Sequence, residues 1–267
     1  MKRWLLAMLL VAQPALGSEL PRPDHIVMVI EENRSFNQII GNREAPYINK
    51  LAKRGVLFTQ SYGVTHPSQP NYLALFSGST RGVTSNICPL TLSGDNLASL
   101  LLAKGLSFTS YAESMPQAGY DGCYYGAYMR KHNPAANWKE LAASNQPFSA
   151  FPADYAQLPT VAFVVPDQLN DMHDGGIERG DAWLKKNLDQ YAQWAMKHNS
   201  LLIVTWDEDD GSSNNRVATI FAGAMIKPGQ YNQRIDHYNL LRAIEEMYGL
   251  PYAGESAGAL ALTGIWK

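Results

Sequence analysis

Short, continuous apolar runs recur along this chain, and each ends in polar or charged residues. The runs at residues 25–30, 160–165 and 201–206 are rich in β-branched residues and do not alternate between apolar and polar positions. Strands with this pattern are buried on both faces, as they are in a parallel sheet. We therefore expect a sheet whose strands are mostly parallel.

Helical patterns lie between these runs. Pro46 suits a first helical turn because its φ is fixed, and Gly249 suits the position just after a last turn. The predicted helices lie at residues 46–54, 96–104, 181–198 and 238–248, and further strands at 56–64, 106–111 and 217–222. This alternation predicts a single α/β domain with a mostly parallel central β-sheet and helices on both faces.

Residues 1–17 have the pattern of a secretory signal peptide, in which two basic residues precede an apolar run over 4–12 and a small-x-small cleavage site. Cleavage would leave residues 18–267 as one large domain. The apolar run is shorter than the roughly 20 residues that a transmembrane helix needs, and no later segment comes near that length. The sequence thus predicts an exported protein, periplasmic or secreted, without stable membrane insertion.

The charge distribution argues against a nucleic-acid partner. The chain has 22 lysines and arginines and 24 aspartates and glutamates, for a formal net charge of −2, and the cations are scattered. A nucleic-acid-binding face needs clustered positive charge. Any phosphate recognition should therefore be local.

The two cysteines, Cys88 and Cys123, both lie in the predicted mature chain. An even count in an oxidising compartment predicts one disulfide, which would close a loop of about 35 residues. Two free buried thiols are the alternative. Two distant cysteines argue against a thiolate zinc site.

The periodic pattern weakens between residues 113 and 151, where Gly, Pro, Asn and aromatic residues accumulate. We expect an irregular cap or loop over one end of the sheet. Long irregular stretches in compact domains usually carry function, so this segment is a candidate part of the site.

Acidic residues follow two of the predicted strands. Glu32 and Asn33 follow the first strand, and Asp207 and Glu208 follow the strand at 201–206. Ligands of open α/β sheets bind beyond the carboxyl ends of the strands, and carboxylates gathered there repel one another unless a cation lies among them. Their hard oxygen atoms suit a divalent ion such as Mg, Mn or Ca, or Zn if a histidine joins them. A solvated acidic turn over 207–210 is the alternative.

Ser68 stands where a loop becomes a helix, since Pro70 suits the first helical turn. The free N–H groups of a helix N-terminus stabilise a phosphate or a forming alkoxide. A metal ion in contact with the hydroxyl would lower its pKa and make it a usable nucleophile. The alternative is a serine that caps the helix and has no chemical role.

Four of the six histidines lie near these elements: His66, His132, His173 and His237. Each is a candidate general acid, phosphate donor or metal ligand. The alternative for each is a surface or capping histidine.

Five segments occur in a characteristic order along nearly the whole predicted mature chain. They are IEENRSF from Ile30, HPSQPNYLALFSG from His66, NDMHDG from Asn170, TWDEDDG from Thr205 and DHYNLLRAIEEMYGLP from Asp236. Together they resemble the bacterial phosphoesterase family of acid phosphatases and phospholipases C, within the alkaline phosphatase superfamily. The resemblance implies a large central sheet flanked by helices and makes residues 18–267 the phosphoesterase domain.

The resemblance also implies roles for individual residues. Ser68 would be the phosphorylated nucleophile, His173 would contact the phosphate or protonate the leaving group, and His132 would be a second histidine on the phosphate side. The implied metal ligands are Glu32, Asn33, Asp207 and Glu208, and the predicted substrate contacts are His66, Asn71 and His237. A second metal, bound by Asp167, Asp171, His173 or His237, is left open.

The function implied is an exported, metal-dependent phosphoric ester hydrolase. We expect an acid phosphatase-like phosphomonoesterase that acts on small phosphate esters through a phosphoserine intermediate. A phosphodiesterase of phospholipase C type is the nearest alternative. A non-catalytic, metal-stabilised protein that binds phosphorylated ligands is another, although binding alone would not need the nucleophile.

Overall fold

The computed structural model describes residues 20–267, so the predicted signal peptide lies outside the described residues. Within this range an eight-stranded sheet forms the centre of the molecule, with the strand order β10-β2-β9-β8-β1-β7-β3-β6. All neighbouring strands are parallel except at β9, which is antiparallel to both β8 and β2. The strands are β1 His25–Glu31, β2 Val56–Tyr62, β3 Phe108–Ala112, β6 Asn145–Pro147, β7 Val161–Val165, β8 Ser200–Trp206, β9 Arg216–Ala222 and β10 Gly229–Asp236, and a separate hairpin pairs β4 Tyr124–Tyr125 with β5 Tyr128–Met129.

Helices cover both faces of the sheet, as predicted. On one face α3, α4 and α6 pack against alternate β1 residues such as Met28, and on the other face α1, α2 and α5 pack against residues such as Val29. The helices are α1 Phe36–Ile39, α2 Pro46–Arg54, α3 Ser68–Ser77, α4 Leu97–Ala103, α5 Ile177–Ala195 and α6 His237–Tyr248. Short 3₁₀ turns lie at Arg130–His132, Pro134–Asn137, Lys139–Ser144, Phe148–Ala150, Tyr155–Gln157 and Gly254–Gly258.

The burial of β1 explains why its sequence has no polar alternation. Residues 26–31 are all inaccessible to solvent, because both faces of this central strand are covered by helices. Burying an aliphatic side chain contributes about 1.5 to 3 kcal/mol, so this strand stabilises both layers of the core at once. The prediction of a mostly parallel sheet between helical layers is confirmed.

The sheet differs from the prediction mainly at its edges. Strand β10 was not expected, and its residues are largely exposed because it lies at one edge of the sheet. Helix α5 begins at Ile177 rather than near Asp181. Asp181 instead accepts hydrogen bonds from the backbone N–H groups of Tyr47 and Ile48, in the first turn of α2. Asp181 thus caps α2, although its place in the sequence predicts the start of α5.

The irregular segment from 113 to 151 contains the β4–β5 hairpin, four 3₁₀ turns and the edge strand β6. Cys88 and Cys123 form the expected disulfide, with their Cα atoms 5.7 Å apart. Buried Asn133 joins this segment to the sheet, since its side chain accepts a hydrogen bond from Ser110 of β3 and donates one to Asn145 of β6. The neighbouring His132 is thereby fixed over the carboxyl edge of the sheet.

Among the helices that the structure describes, none has the length and apolar character needed to cross a bilayer.

Candidate active site

Ser68 is the first residue of α3, and its side chain points into an acidic cluster. The Oγ atom lies 2.9 Å from Glu208 Oε1 and 3.1 Å from Glu32 Oε2, so its proton is donated to this pair of carboxylates. The N-cap of the helix is Pro67, and no side chain caps it. Ser68 is therefore not the capping serine of the alternative interpretation.

Asn71 fixes the loop that precedes the serine. Its Oδ1 atom accepts hydrogen bonds from the N–H groups of Val64 and Thr65, and its Nδ2 atom donates to the carbonyl of Thr65. The same Nδ2 lies 3.5 Å from Glu208 Oε2. Asn71 is completely buried, so its contacts are with the loop and the carboxylates, and its predicted contact with substrate stays a prediction.

The carboxylates converge because β1 and β8 are parallel neighbours in the sheet. Glu31 pairs with Trp206 in the register, so Glu32 and Asp207 leave the sheet side by side. Each of Glu32, Asp207 and Glu208 is at most 3% exposed. One oxygen of each lies within 4.8 Å of the others, which is close enough for all three to bind one ion.

Asn33 stands beside this cluster with its backbone in the left-handed region, at a φ of 55°. Asparagine tolerates this conformation better than most residues. Its N–H group donates a 3.4 Å hydrogen bond to Asp207 Oδ1. The carboxylates of Glu32, Asp207 and Glu208 are thus brought to one place with the Asn33 backbone beside them, and metal binding by the Asn33 side chain stays a prediction.

This cluster carries negative charge that the described side chains do not fully compensate. Burial raises the pKa of Asp207 well above its ordinary value, and the charges of Glu32 and Glu208 raise it further. Burial and the charge of Glu32 also raise the pKa of Glu208, although Ser68 and His66 oppose this. Asp207 Oδ2 is buried and has no hydrogen-bond partner. A buried carboxylate oxygen left this way fits a bound divalent cation.

His132 lies between two carboxylates on the other side of Glu32. Its Nε2 atom is 2.9 Å from Glu32 Oε1, and its Nδ1 atom is 3.2 Å from Asp171 Oδ2. Burial alone would lower the pKa of His132, but the charges of Glu32 and Asp171 raise it to about 9. Burial alone would raise the pKa of Glu32, but the charge of His132 outweighs this effect and the pKa of Glu32 is lowered. The ring therefore lies between two carboxylates in an ion triad that favours its protonated form.

His173 lies at the rim of the same site. Its ring centroid is 5.7 Å from that of His132, and its side chain is 26% exposed. Nδ1 lies 2.7 Å from Asp174 Oδ1, and Nε2 lies 3.5 Å from Lys131 Nζ. Glu32, His132 and His173 form a second group whose ligand atoms lie within 4.8 Å of one another. An exposed imidazole at this position can exchange protons with a bound molecule.

The other two predicted histidines differ in accessibility. His66 is half-exposed, and its Nδ1 atom lies 2.6 Å from Glu208 Oε2. His237 is buried, and burial lowers its pKa, so the neutral ring donates from Nε2 to the carbonyl oxygen of Asp207 at 2.5 Å. Its Nδ1 atom is buried without a hydrogen-bond partner. His66 thus faces the entrance, whereas His237 supports the backbone behind the carboxylates.

Asp167, one of the residues left open for a second metal, is used within its own loop. Its carboxylate accepts hydrogen bonds from Ser114 Oγ and from the N–H group of Leu169. Asp171 accepts a hydrogen bond from the His173 N–H group at 2.7 Å, in addition to its ion pair with His132. Of the two aspartates considered for a second metal, Asp171 is therefore the one that lies next to His132 and His173.

Two side chains of the site were not identified from sequence. Tyr72 stacks on His132 with ring centroids 5.3 Å apart, and its buried hydroxyl forms no hydrogen bond with the described residues. Asp209 accepts hydrogen bonds from the N–H groups of Ser213 and Asn215 and so shapes the loop after β8. The position of Tyr72, four residues after Ser68 on one helix, was a usable signal because residues so spaced lie on the same side.

Solved structures of other proteins share this architecture. A protein in the alkaline phosphatase superfamily from Vibrio parahaemolyticus has a TM-score of 0.60 at 13% identity, over 91% of this chain and 72% of that one. A phosphonate monoester hydrolase from Agrobacterium radiobacter has a TM-score of 0.57 at 14% identity, over 86% and 74% of the two chains. At such identities the likeness shows the fold alone, and it confirms the expected alkaline phosphatase-like sheet.

Relatives in sequence add the class of reaction. The chain is 50% identical to a phosphatidylinositol-3-phosphatase of Mycobacterium tuberculosis, over 98% of this chain and 90% of the relative. It is 30% identical to an acid phosphatase of Aspergillus fumigatus over 76% of this chain, which spans about half (51%) of that longer protein. The sequence model of the Phosphoesterase family matches residues 42–251. The chain is thus a phosphoric ester hydrolase, and it belongs to the Phosphoesterase family.

Proposed function

We propose that this protein is a metal-dependent phosphomonoesterase in which Ser68 attacks phosphorus and carries the phosphoryl group. The observation that supports this most is the position of Ser68 Oγ, which lies 2.9 Å from Glu208 and 3.1 Å from Glu32 at the start of α3. A hydroxyl held against carboxylates has an acceptor for its proton, and the helix N-terminus offers N–H donors to phosphate oxygens.

The divalent ion would be held by the three carboxylates whose oxygens converge there, with the neighbouring Asn33 as a further candidate ligand. The proposed ligands are Glu32, Asn33, Asp207 and Glu208. When bound, the ion supplies positive charge that lowers the pKa of the serine hydroxyl and offsets the charge of the phosphate. His132 is already paired with Glu32 and Asp171, so the partly exposed His173 is the proposed proton donor to the leaving group.

In the first proposed step the Ser68 Oγ–phosphorus bond forms and the bond from phosphorus to the leaving oxygen breaks. The Ser68 proton passes to a carboxylate, and the leaving alkoxide takes a proton from His173, which becomes neutral. In the second step the oxygen of a water molecule bonds to phosphorus as the bond from phosphorus to Ser68 Oγ breaks. The water gives a proton to His173, and the carboxylate returns its proton to Ser68 Oγ. His66 at the entrance and His132 beneath it are proposed to orient the phosphate oxygens.

The test is to trap the intermediate. Enzyme quenched in acid during turnover should carry one phosphate on the peptide containing Ser68, and a chiral phosphate should be released with retained configuration because two inversions occur. Ser68→Ala should abolish labelling, whereas Thr65→Ala, which removes a hydroxyl in the same loop, should keep it. Inversion at phosphorus, or labelling of Ser68→Ala, would contradict the covalent mechanism.

We also propose that the protein is exported to the periplasm or secreted. The signal-peptide pattern of residues 1–17 and the Cys88–Cys123 disulfide support this, since disulfides persist in oxidising compartments. Sequencing the N-terminus of protein recovered from cell fractions tests the proposal, and an exported chain beginning near Ser18 is expected. A full-length chain confined to the cytosol would contradict it.

A second candidate function is hydrolysis of a phosphate monoester on a lipid headgroup. Identity of 50% over 98% of the chain to a phosphatidylinositol-3-phosphatase favours it. Metal-stripped protein should be assayed with an aryl phosphate, a bis-aryl phosphate and a phosphatidylinositol phosphate, each with single divalent ions restored. Turnover of the monoesters and not of the diester supports a monoesterase, whereas preference for the diester would favour the phospholipase C-type alternative. Binding without turnover would favour the non-catalytic one.

A further inference from the structure

A small apolar cleft opens beside the site, between the loop at residues 86–88 and the β4–β5 hairpin. It has a volume of about 170 Å³. Ile87, Tyr124, Met129 and the Cys88–Cys123 disulfide form its walls, and Lys131 lies at its rim. The mechanism proposed above uses none of these groups.

Direct contacts connect both walls of the cleft to the catalytic residues. On one side the Ile87 N–H group donates to Gln69 Oε1 at 2.7 Å, and the Gln69 N–H group donates to Asn86 Oδ1 at 3.0 Å. Gln69 follows Ser68 directly in the chain. On the other side Lys131 Nζ lies 3.5 Å from His173 Nε2. The cleft therefore begins where the leaving group of a phosphate on Ser68 would emerge.

Its apolar side chains face solvent to an unusual degree. Ile87 is 42% exposed, Tyr124 69%, and the adjacent Tyr125 56%. Exposed apolar groups gathered at one place on a protein commonly mark a binding site. The disulfide joins the two walls, so little conformational entropy is lost when a ligand enters. The neighbouring carboxylates, in contrast, provide no apolar surface for such a ligand.

We propose that this cleft is a leaving-group subsite, which takes the apolar part of a phosphate monoester while its phosphate lies at Ser68. Lys131, at the junction of cleft and site, then pairs with a phosphate oxygen. The inference rests on the proposed function and narrows its substrates to esters of aromatic or acyl-bearing alcohols over esters of small polyols. Either a soluble aryl phosphate or a phosphorylated lipid supplies this chemistry.

The test compares kcat/KM for 1-naphthyl phosphate with that for glycerol phosphate in the metal-loaded enzyme. Wild type should favour the naphthyl ester, and the double variant Ile87→Ser, Tyr124→Ser should reduce this ratio about tenfold, chiefly through KM, as the loss of a small apolar contact does. Leu102→Ser, which changes an equally exposed residue on α4, should leave the ratio unchanged. An unchanged ratio in the double variant, or a wild type without preference, would overturn the proposal.

A second arm separates the two sources of ligand. A short-chain phosphatidic acid, whose leaving group is the acyl-bearing glycerol itself, is assayed below its micellar concentration, and its long-chain form is assayed in phosphatidylcholine vesicles. A loss of kcat/KM with the monomeric lipid supports the subsite. A loss confined to vesicles would overturn it and assign these residues to membrane contact. Wild type that hydrolyses no ester at all would instead contradict the proposed function itself.

Discussion

The candidate site has two halves that meet at Glu32, and they differ in how their charges are balanced. The carboxylate half consists of Ser68, Asp207, Glu208 and the Oε2 side of Glu32. The histidine half consists of His132, Asp171, His173 and the Oε1 side of Glu32. In the carboxylate half Asp207 Oδ2 has neither a hydrogen bond nor an ion-pair partner among the described residues, whereas in the histidine half Glu32 Oε1 and Asp171 Oδ2, which also form no hydrogen bond, lie within 3.2 Å of the His132 ring.

The difference shows which half depends on a ligand. Buried like charges raise one another's pKa unless a cation lies among them, and this is the state of Asp207 and Glu208. The histidine half already contains its cation, because the pKa of His132 is raised to about 9. We therefore expect a divalent ion to bind and stabilise the carboxylate half, and proton transfer to belong to the histidine half.

The largest effect is expected where the halves meet. Glu32→Gln removes a charged metal ligand and also leaves His132 without one partner, and breaking a buried ion pair costs about 3 to 5 kcal/mol. We expect kcat/KM to fall roughly 10³-fold and bound metal to be lost. Elemental analysis and kinetics of the purified variant measure both.

Glu31→Gln is the matched control, because burial raises the pKa of Glu31 well above its ordinary value and its carboxylate belongs to neither group of candidate metal ligands among the described residues. It should retain metal and turnover. Full metal occupancy and activity in Glu32→Gln would show that the two halves do not share this residue.

The histidine half should lose stability as the pH rises. The pKa of His132 is raised from 6.5 in the unfolded chain to about 9 in the fold, so its stabilisation is complete below pH 6.5 and is lost as the pH rises through about 9. The difference between these two pKa values of His132 corresponds to roughly 3 kcal/mol in the free energy of unfolding. Urea unfolding of metal-free wild type from about pH 6 to 9.5 should show this fall.

His132→Gln should remove that pH dependence, and His198→Gln, which changes an exposed histidine after the end of α5, should keep it. A wild type whose free energy of unfolding does not change over this range would contradict the ion triad.

His173→Ala tests whether the rim of the histidine half supplies a proton. For an alkyl phosphate, whose leaving alkoxide needs protonation, we expect kcat to fall about 10²-fold, within the range for general acids. For nitrophenyl phosphate the fall should be several times smaller, because nitrophenolate leaves without a proton. Equal losses for the two esters would indicate phosphate binding or metal ligation by His173.

The smallest expected effect is a change in the free energy of unfolding, and its sign depends on whether metal is bound. In metal-free protein Asp207→Asn removes a buried carboxyl group whose pKa is raised by burial and by Glu32 and Glu208, so it should raise the free energy of unfolding. In metal-loaded protein the same change should lower it, because a ligand is lost. Thermal unfolding with and without the ion measures the reversal.

Asp210→Asn, which changes an exposed carboxylate three residues further on, should have little effect in either state. Destabilisation of Asp207→Asn in both states would mean that its hydrogen bond with Asn33 outweighs the repulsion.

Sequence reasoning succeeded where one physical cause decided the outcome. The central strands were predicted because burial on both faces excludes polar residues, and Glu32, Asp207 and Glu208 were found because they follow those strands directly. It failed where a side chain acts on a distant segment. Asp181 caps α2 from α5, which no local pattern reveals.

The histidine half of the site was harder to predict from sequence, again because its residues depend on contacts with distant segments. His132 reaches the site only because Asn133 fastens an irregular segment to the sheet. Residues 130–137 have no apolar period from which their direction could be inferred. The exposed edge strand β10 was missed because it buries little and therefore has no continuous apolar run.

Helix α3 is buried on every side, and all ten of its residues, Ser68 included, are inaccessible or nearly so. It packs between the sheet, α4, α6 and the cap, and Phe76 contacts rings from β3, β7 and Trp138. Segments of this kind open to solvent only when the whole domain unfolds. Local unfolding therefore cannot displace Ser68, the proposed nucleophile. Heat should inactivate the enzyme at the temperature at which the whole domain unfolds, and not below it.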